Sequence, residues 1–213
     1  MPSLQQLNDI TFDTIRINLT TYPDGSCKIV ASPHAPFCKH LRWVAGRNDL
    51  WLVHYKHVEP QSACMERGDS LVFMRVDPAE MLPLVQTLNS VAQFNHQLRK
   101  MLGELQRTLG GFVEDDALHI HTPLGQVDVI HESDVLCVFA EPLHKVFGPR
   151  IRLDENKEKV LTYGEETFFG LEDAEDDGQF MFTFRYPEDD TRIRRLVTAL
   201  AQILFAAEEQ RRA

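Results

Sequence analysis

The sequence predicts an α+β protein built on antiparallel sheet. Three observations carry that prediction. Short runs of alternating hydrophobicity are separated by turn residues, a long amphipathic helix is expected near the middle, and a second amphipathic helix is expected at the C-terminal end. Each half therefore reads as several strands followed by a helix. The expected organisation is residues 1–111 and residues 112–213, packed as two domains or as one.

Element by element, Ser3–Asn8 has the composition of a short helix. In FDTIRINLTTY, Ile15, Ile17 and Leu19 share one face and Arg16, Asn18 and Thr20 the other, the period of a half-buried strand. Pro23-Asp24-Gly25 is a turn signature, and Cys27–Ala31 returns as a second strand. Ser32–Phe37, with two prolines, reads as a loop. HLRWVA and DLWLVHYKHV read as a second hairpin about Gly46-Arg47-Asn48-Asp49. Polar Glu59–Gly68 reads as a loop, and Leu71–Val76 as a further strand.

Asp77-Pro78-Ala79-Glu80 then offers a capping acid, a proline at the first helical position and a glutamate three residues after the cap. Behind it Met81, Leu84, Val85, Leu88, Val91, Ala92, Leu98, Met101, Leu102 and Leu105 recur at helical spacing up to Gly110-Gly111. A break near Asn95 or Gly103 would divide this element in two. ALHIH, QVDVIH and VLCVFA are three more strands. LDENKEKV reads as a short helix, Phe180–Arg185 as a strand, and Thr191–Arg212 as the final helix.

LVFMRVDPAEM (Leu71–Met81) and FMFTFRYPEDD (Phe180–Asp190) look alike, each running from a strand through Arg and Pro to acids and a helix. This matches a degenerate two-fold repeat. It equally matches the general suitability of proline and acids for a helix start.

The charge is uneven. Residues 165–190 hold ten acids and one base, whereas the remainder holds 22 acids and 21 bases. A near-neutral globule with one acidic window lacks the clustered Lys and Arg that grip a phosphate backbone, so direct nucleic-acid binding is not expected. MPSLQQLND lacks a basic start and an apolar core, and the longest apolar run is VLCVFA. The expectation is a cytoplasmic protein with no membrane span and no signal peptide. Cys27, Cys38, Cys64 and Cys137 show no CxxC spacing and read as reduced thiols.

Residues two apart on a strand share a face. His119 and His121 in ALHIH therefore form a candidate metal pair, as do Cys38 and His40, whereas His54 and His57 point opposite ways. A metal needs further ligands that the spacing does not supply. Asp173, Glu175, Asp177 and Gly178 resemble the opening of an EF-hand loop, D-x-[DN]-x-[DN]-G, with Phe180 in the apolar eighth place. Phe184 stands where that loop requires its closing glutamate, so a solvated loop with weak divalent-ion binding at most is expected. GxSxG, GxGxxG and GxxxxGK[ST] are absent from the sequence, and no dedicated cofactor is expected.

Trp43, Trp51 and Tyr55 read as packing within the second hairpin. Phe168-Phe169 is framed by acids, and such a pair in an acidic rim suits a basic partner. The candidate partner-binding residues are Glu165, Glu166, Phe168, Phe169, Glu172, Asp173, Glu175, Asp176 and Asp177. The leading functional expectation is a non-enzymatic adaptor, chaperone or inhibitor that binds another protein, with amphipathic helices that suit a homodimer. The alternatives are a metal-dependent enzyme using His119 and His121, and a structural subunit of a larger assembly.

Overall fold

The computed structural model describes residues 10–11, 15–43, 50–52, 62–132, 135–173 and 178–212. The chain divides into two compact units, residues 1–97 and 98–213, and the boundary falls inside one continuous helix. Antiparallel sheets, a long helix and a C-terminal helix make this an α+β fold. No helix among the described residues is long and apolar enough to cross a membrane.

Among the described residues the first unit holds seven strands: β1 (Ile10–Thr11), β2 (Arg16–Thr21), β3 (Cys27–Ser32), β4 (Leu41–Trp43), β5 (Leu50–Leu52), β6 (Ser62–Glu66) and β7 (Leu71–Val76). They form one sheet in the order β1-β2-β3-β7-β6-β5-β4. Ile17, Ile29, Ala31, Leu71 and Phe73 lie fully buried in it. They join Met81, Leu84, Val85, Leu88, Val91 and Ala92 of helix α1 (Pro78–Leu109) in one apolar core. The helix begins as its sequence dictates: Asp77 Oδ1 accepts from the Ala79 amide at 2.8 Å, and Pro78 occupies the first position.

Two expectations are corrected here, and one left open is decided. Ala35–His40 is a 3₁₀ helix rather than loop, because Pro36 at its start suits a tight turn and buried Phe37 anchors it. Ser62–Glu66, expected as loop, is strand β6. Its backbone pairs with both β5 and β7, so exposed Ala63, Met65 and Glu66 do not prevent a strand. Helix α1 does not break at Asn95 or Gly103. Asn95 Nδ2 donates to the Val91 carbonyl one turn back, and Gly103 is flanked by buried Met101, Leu102 and Leu105. The helix expected over Ser3–Asn8 lies outside the described residues, as do the side chains of Trp43 and Trp51 and the whole of Tyr55, His54 and His57.

Among the described residues the second unit holds nine strands: β8 (Phe112–Glu114), β9 (Ala117–Thr122), β10 (Gly125–Glu132), β11 (Val135–Glu141), β12 (Ile151–Leu153), β13 (Lys159–Tyr163), β14 (Glu166–Phe168), β15 (Leu171–Asp173) and β16 (Phe180–Phe184). Helix α2 (Asp190–Arg212) closes it. A six-stranded sheet runs β15-β16-β11-β10-β9-β8, and a three-stranded sheet runs β12-β13-β14. The LDENKEKV segment is a hairpin rather than a helix. The Asp154 carboxylate accepts from the Asn156 and Glu158 amides, both at 2.8 Å, and Lys157 adopts a positive φ of 65°, so the local turn outcompetes helix formation.

Alternation sorts the six-stranded sheet into two faces. Leu118, Ile120, Val127, Val129, Leu136, Val138, Phe180 and Phe182 are buried, and α2 lies against β9, β10 and β11 with Ile193, Leu196, Val197, Leu200 and Leu204 buried. Each such aliphatic or aromatic side chain contributes roughly 1.5–3 kcal/mol by leaving water. The opposite face carries His119, His121, Asp128, Phe139 and Met181, set by the same period of two.

The two strand–proline–helix junctions differ in detail. Pro78 is the first residue of α1, whereas Pro187 lies in a turn ahead of α2, where Asp189 accepts from the Arg185 amide at 3.1 Å. The sequence likeness thus resolves into two local solutions for starting a helix after a strand.

Candidate functional site

The tight turn after His121 sets the first cluster. β9 and β10 are joined through Pro123-Leu124, and Thr122 pairs with Gly125. That register places His121 opposite Gln126 and His119 opposite Asp128. β8 adds Phe112 opposite His119. Directly opposed residues of an antiparallel pair share a face, so Phe112, His119 and Asp128 form a row across three strands.

In that row His119 Nδ1 lies 2.8 Å from Asp128 Oδ1, and His121 Nε2 lies 3.3 Å from the same oxygen. Asp128 is only 7% exposed, whereas the His121 side chain is 45% exposed. Phe112 stacks on His119 with ring centroids 4.9 Å apart and meets His121 edge-on at 5.5 Å. Chain geometry makes this possible at Gly111, where a Cβ would overlap the His119 carbonyl oxygen and φ is +87°. The glycine lets β8 approach β9 closely enough for Phe112 to cover both imidazoles.

The sequence pairs His119 with His121 but misses Asp128. The available signal was the two-residue turn at Pro123-Leu124, which sets the partner of His119 once β9 and β10 are read as a hairpin. His121 also lines a cleft of about 530 Å³ together with Gln126 and Glu141.

In the first unit His34, Cys38 and Glu66 bring one ligand atom each within 4.8 Å of one another. Cys38 and Glu66 are exposed, and His34 Nδ1 lies 3.2 Å from Asp69. The side chain of His40, the expected partner of Cys38, lies outside the described residues.

The acidic window is spread over two hairpins and the entry to α2. Glu165 and Glu166 are exposed at the β13–β14 turn, and Glu172 and Asp173 are exposed on edge strand β15. Phe168 is buried at 5% exposure, whereas Phe169 is 49% exposed. The aromatic pair therefore splits into an anchor and a surface residue. Glu175, Asp176 and Asp177 lie outside the described residues.

Cations from outside the window meet part of it. Asp173 pairs with Lys159, Glu166 lies 3.9 Å from Arg195, and Asp190 lies 2.8 Å from Arg194, which also reaches Glu104 at 2.9 Å. Arg192 donates to the Phe169 carbonyl at 2.6 Å and lies over the Phe184 ring. Among the described residues, Glu165, Glu172 and Glu188 have no cation within ion-pair distance. Glu166, Glu188, Asp189, Arg192 and Arg195 all line a cleft of about 410 Å³.

Comparison with known family models, curated proteins and solved structures finds no match to this chain.

Proposed function

We propose that the chain is a non-enzymatic protein-interaction protein, an adaptor, chaperone or inhibitor, that meets a basic partner through the acid-rich surface of its second unit. The observation that carries this reading is the setting of Phe169, half exposed and held by Arg192 at its carbonyl, with exposed Glu165, Glu166 and Glu172 nearby in sequence. An apolar ring supplies contact area, and surrounding carboxylates select a cationic surface.

The α2 arginines narrow the surface. Glu166, Asp173 and Asp190 are partly neutralised within the chain, so among the described residues the unpaired negative charge of the window rests on Glu165, Glu172 and Glu188. The Glu166–Arg195 pair is exposed, so it contributes little to stability and its carboxylate remains available to exchange an internal arginine for an external one.

The test is affinity capture from native-cell extract at about 0.1 M and about 1 M salt, between which the screening length falls from about 10 Å to about 3 Å. A partner released at high salt, and lost when Glu165 and Glu172 are both changed to Lys, is the expected result. A partner retained equally at both salts overturns the electrostatic account.

A further inference from the structure

We propose that His119, His121 and Asp128 bind one divalent transition-metal ion of the zinc class. This inference goes beyond the partner-binding reading and does not rest on it.

Each of the three residues offers one ligand atom, and the three atoms lie within 4.8 Å of one another. Ligands held about 2.0–2.1 Å from a tetrahedral zinc ion are about 3.3–3.4 Å apart. The His121–Asp128 separation of 3.3 Å already has that length. The His119–Asp128 separation of 2.8 Å opens by about 0.5 Å to reach it, within the reach of a small imidazole rotation. Two imidazoles and a carboxylate suit zinc and its neighbours, whereas calcium and magnesium take oxygen donors.

Three further features favour an ion over a plain hydrogen-bonded trio. The Asp128 carboxylate is almost fully withdrawn from water, where attraction to a cation is stronger than at the surface. Phe112 packs on both rings, so the imidazoles are held before an ion arrives and lose less freedom on binding it. Three protein ligands leave a fourth position for water or a small donor ligand, and the 45% exposure of the His121 side chain keeps the cluster open to solvent.

The test uses the full chain, stripped with chelator and titrated with Co²⁺ and Zn²⁺ under calorimetry and visible absorption. The expected result is about one ion per chain in a nitrogen–oxygen coordination spectrum without a thiolate-to-cobalt charge-transfer band. His121→Ala and Asp128→Asn each weaken uptake by about tenfold or more, with unchanged far-UV dichroism, while Cys38→Ser leaves it intact. If Asp128→Asn does not fold, His121→Ala decides, since that side chain is 45% exposed. Absence of saturable uptake, or uptake unchanged in His121→Ala, overturns the proposal. A thiolate band abolished by Cys38→Ser also overturns it, because the ion then belongs to His34, Cys38 and Glu66.

Discussion

Asn95, buried in the middle of α1, donates from its side-chain amide to the carbonyl of Pro36, fifty-nine residues earlier. The same amide donates to the Val91 carbonyl at 3.0 Å. One polar side chain thus ties the 3₁₀ helix to the long helix inside an otherwise apolar core, and it does so without interrupting the helix. Asn95→Ala leaves the buried Pro36 carbonyl without that donor and is expected to destabilise the protein by about 1–3 kcal/mol. Urea unfolding measures it; a midpoint unchanged from wild type would show that the bond contributes nothing net.

Gly110 and Gly111 both have positive φ, of +80° and +87°, but their surroundings differ. A Cβ at Gly110 meets open space, whereas at Gly111 it overlaps the backbone of His119. Gly110→Ala should cost on the order of 1 kcal/mol from backbone strain alone. Gly111→Ala should cost distinctly more and should shift Phe112 off the imidazoles. Thermal unfolding of the two variants, with the ring contact followed by NMR, checks the order; equal losses would refute the close-approach argument.

Burial, reinforced by the charge of Asp190, pushes the Tyr186 phenol up to about 12. A free tyrosine titrates near about 10. Between those values the unfolded chain has released the proton and the folded chain has kept it, so the unfolded state binds fewer protons. Stability is therefore expected to fall as the pH rises from about 10 to about 12, and to carry a constant contribution from this group below about 10. Denaturation midpoints across that window should fall less steeply in Tyr186→Phe. Identical slopes in the two proteins would exclude Tyr186 as the source.

The four thiols should differ in reactivity. Burial, with the nearby Glu66 carboxylate second, pushes the Cys64 thiol up to about 12, while Cys38 is exposed and Cys27 and Cys137 are buried. The thiolate is the reacting form, so alkylation at about pH 8 should mark Cys38 first and Cys64 far more slowly. Peptide mapping of a time course reads the order directly. Labelling of Cys64 ahead of Cys38 would contradict it.

The elements were legible wherever burial imposes a period. Ile15 and Ile17, the long stripe of α1 and the alternation of ALHIH and QVDVIH all appear in the structure as read, because one face of each element faces apolar neighbours. β6 was not legible, since its exposed side chains carry no period and its backbone pairing alone defines it. Nor was the β12–β13 hairpin, where the Asp154 turn overrides a charged stretch of good helix formers. The acidic window was legible as composition, but Arg192, Arg194 and Arg195 begin just past its end and fold back onto it.

By itself, then, the sequence determined the fold class, the start of α1 at Asp77-Pro78, the charge asymmetry and the pairing of His119 with His121. These depend on local chemistry and on periods of two and 3.6 residues, which are written along the chain. Only the tertiary structure decided that Asp128 completes the histidine pair, that Phe168 is buried while Phe169 is exposed, and that α2 arginines meet the acids of β14 and the helix entry. Each of those results depends on which strands pair and in which register, and register joins residues that the linear order keeps apart.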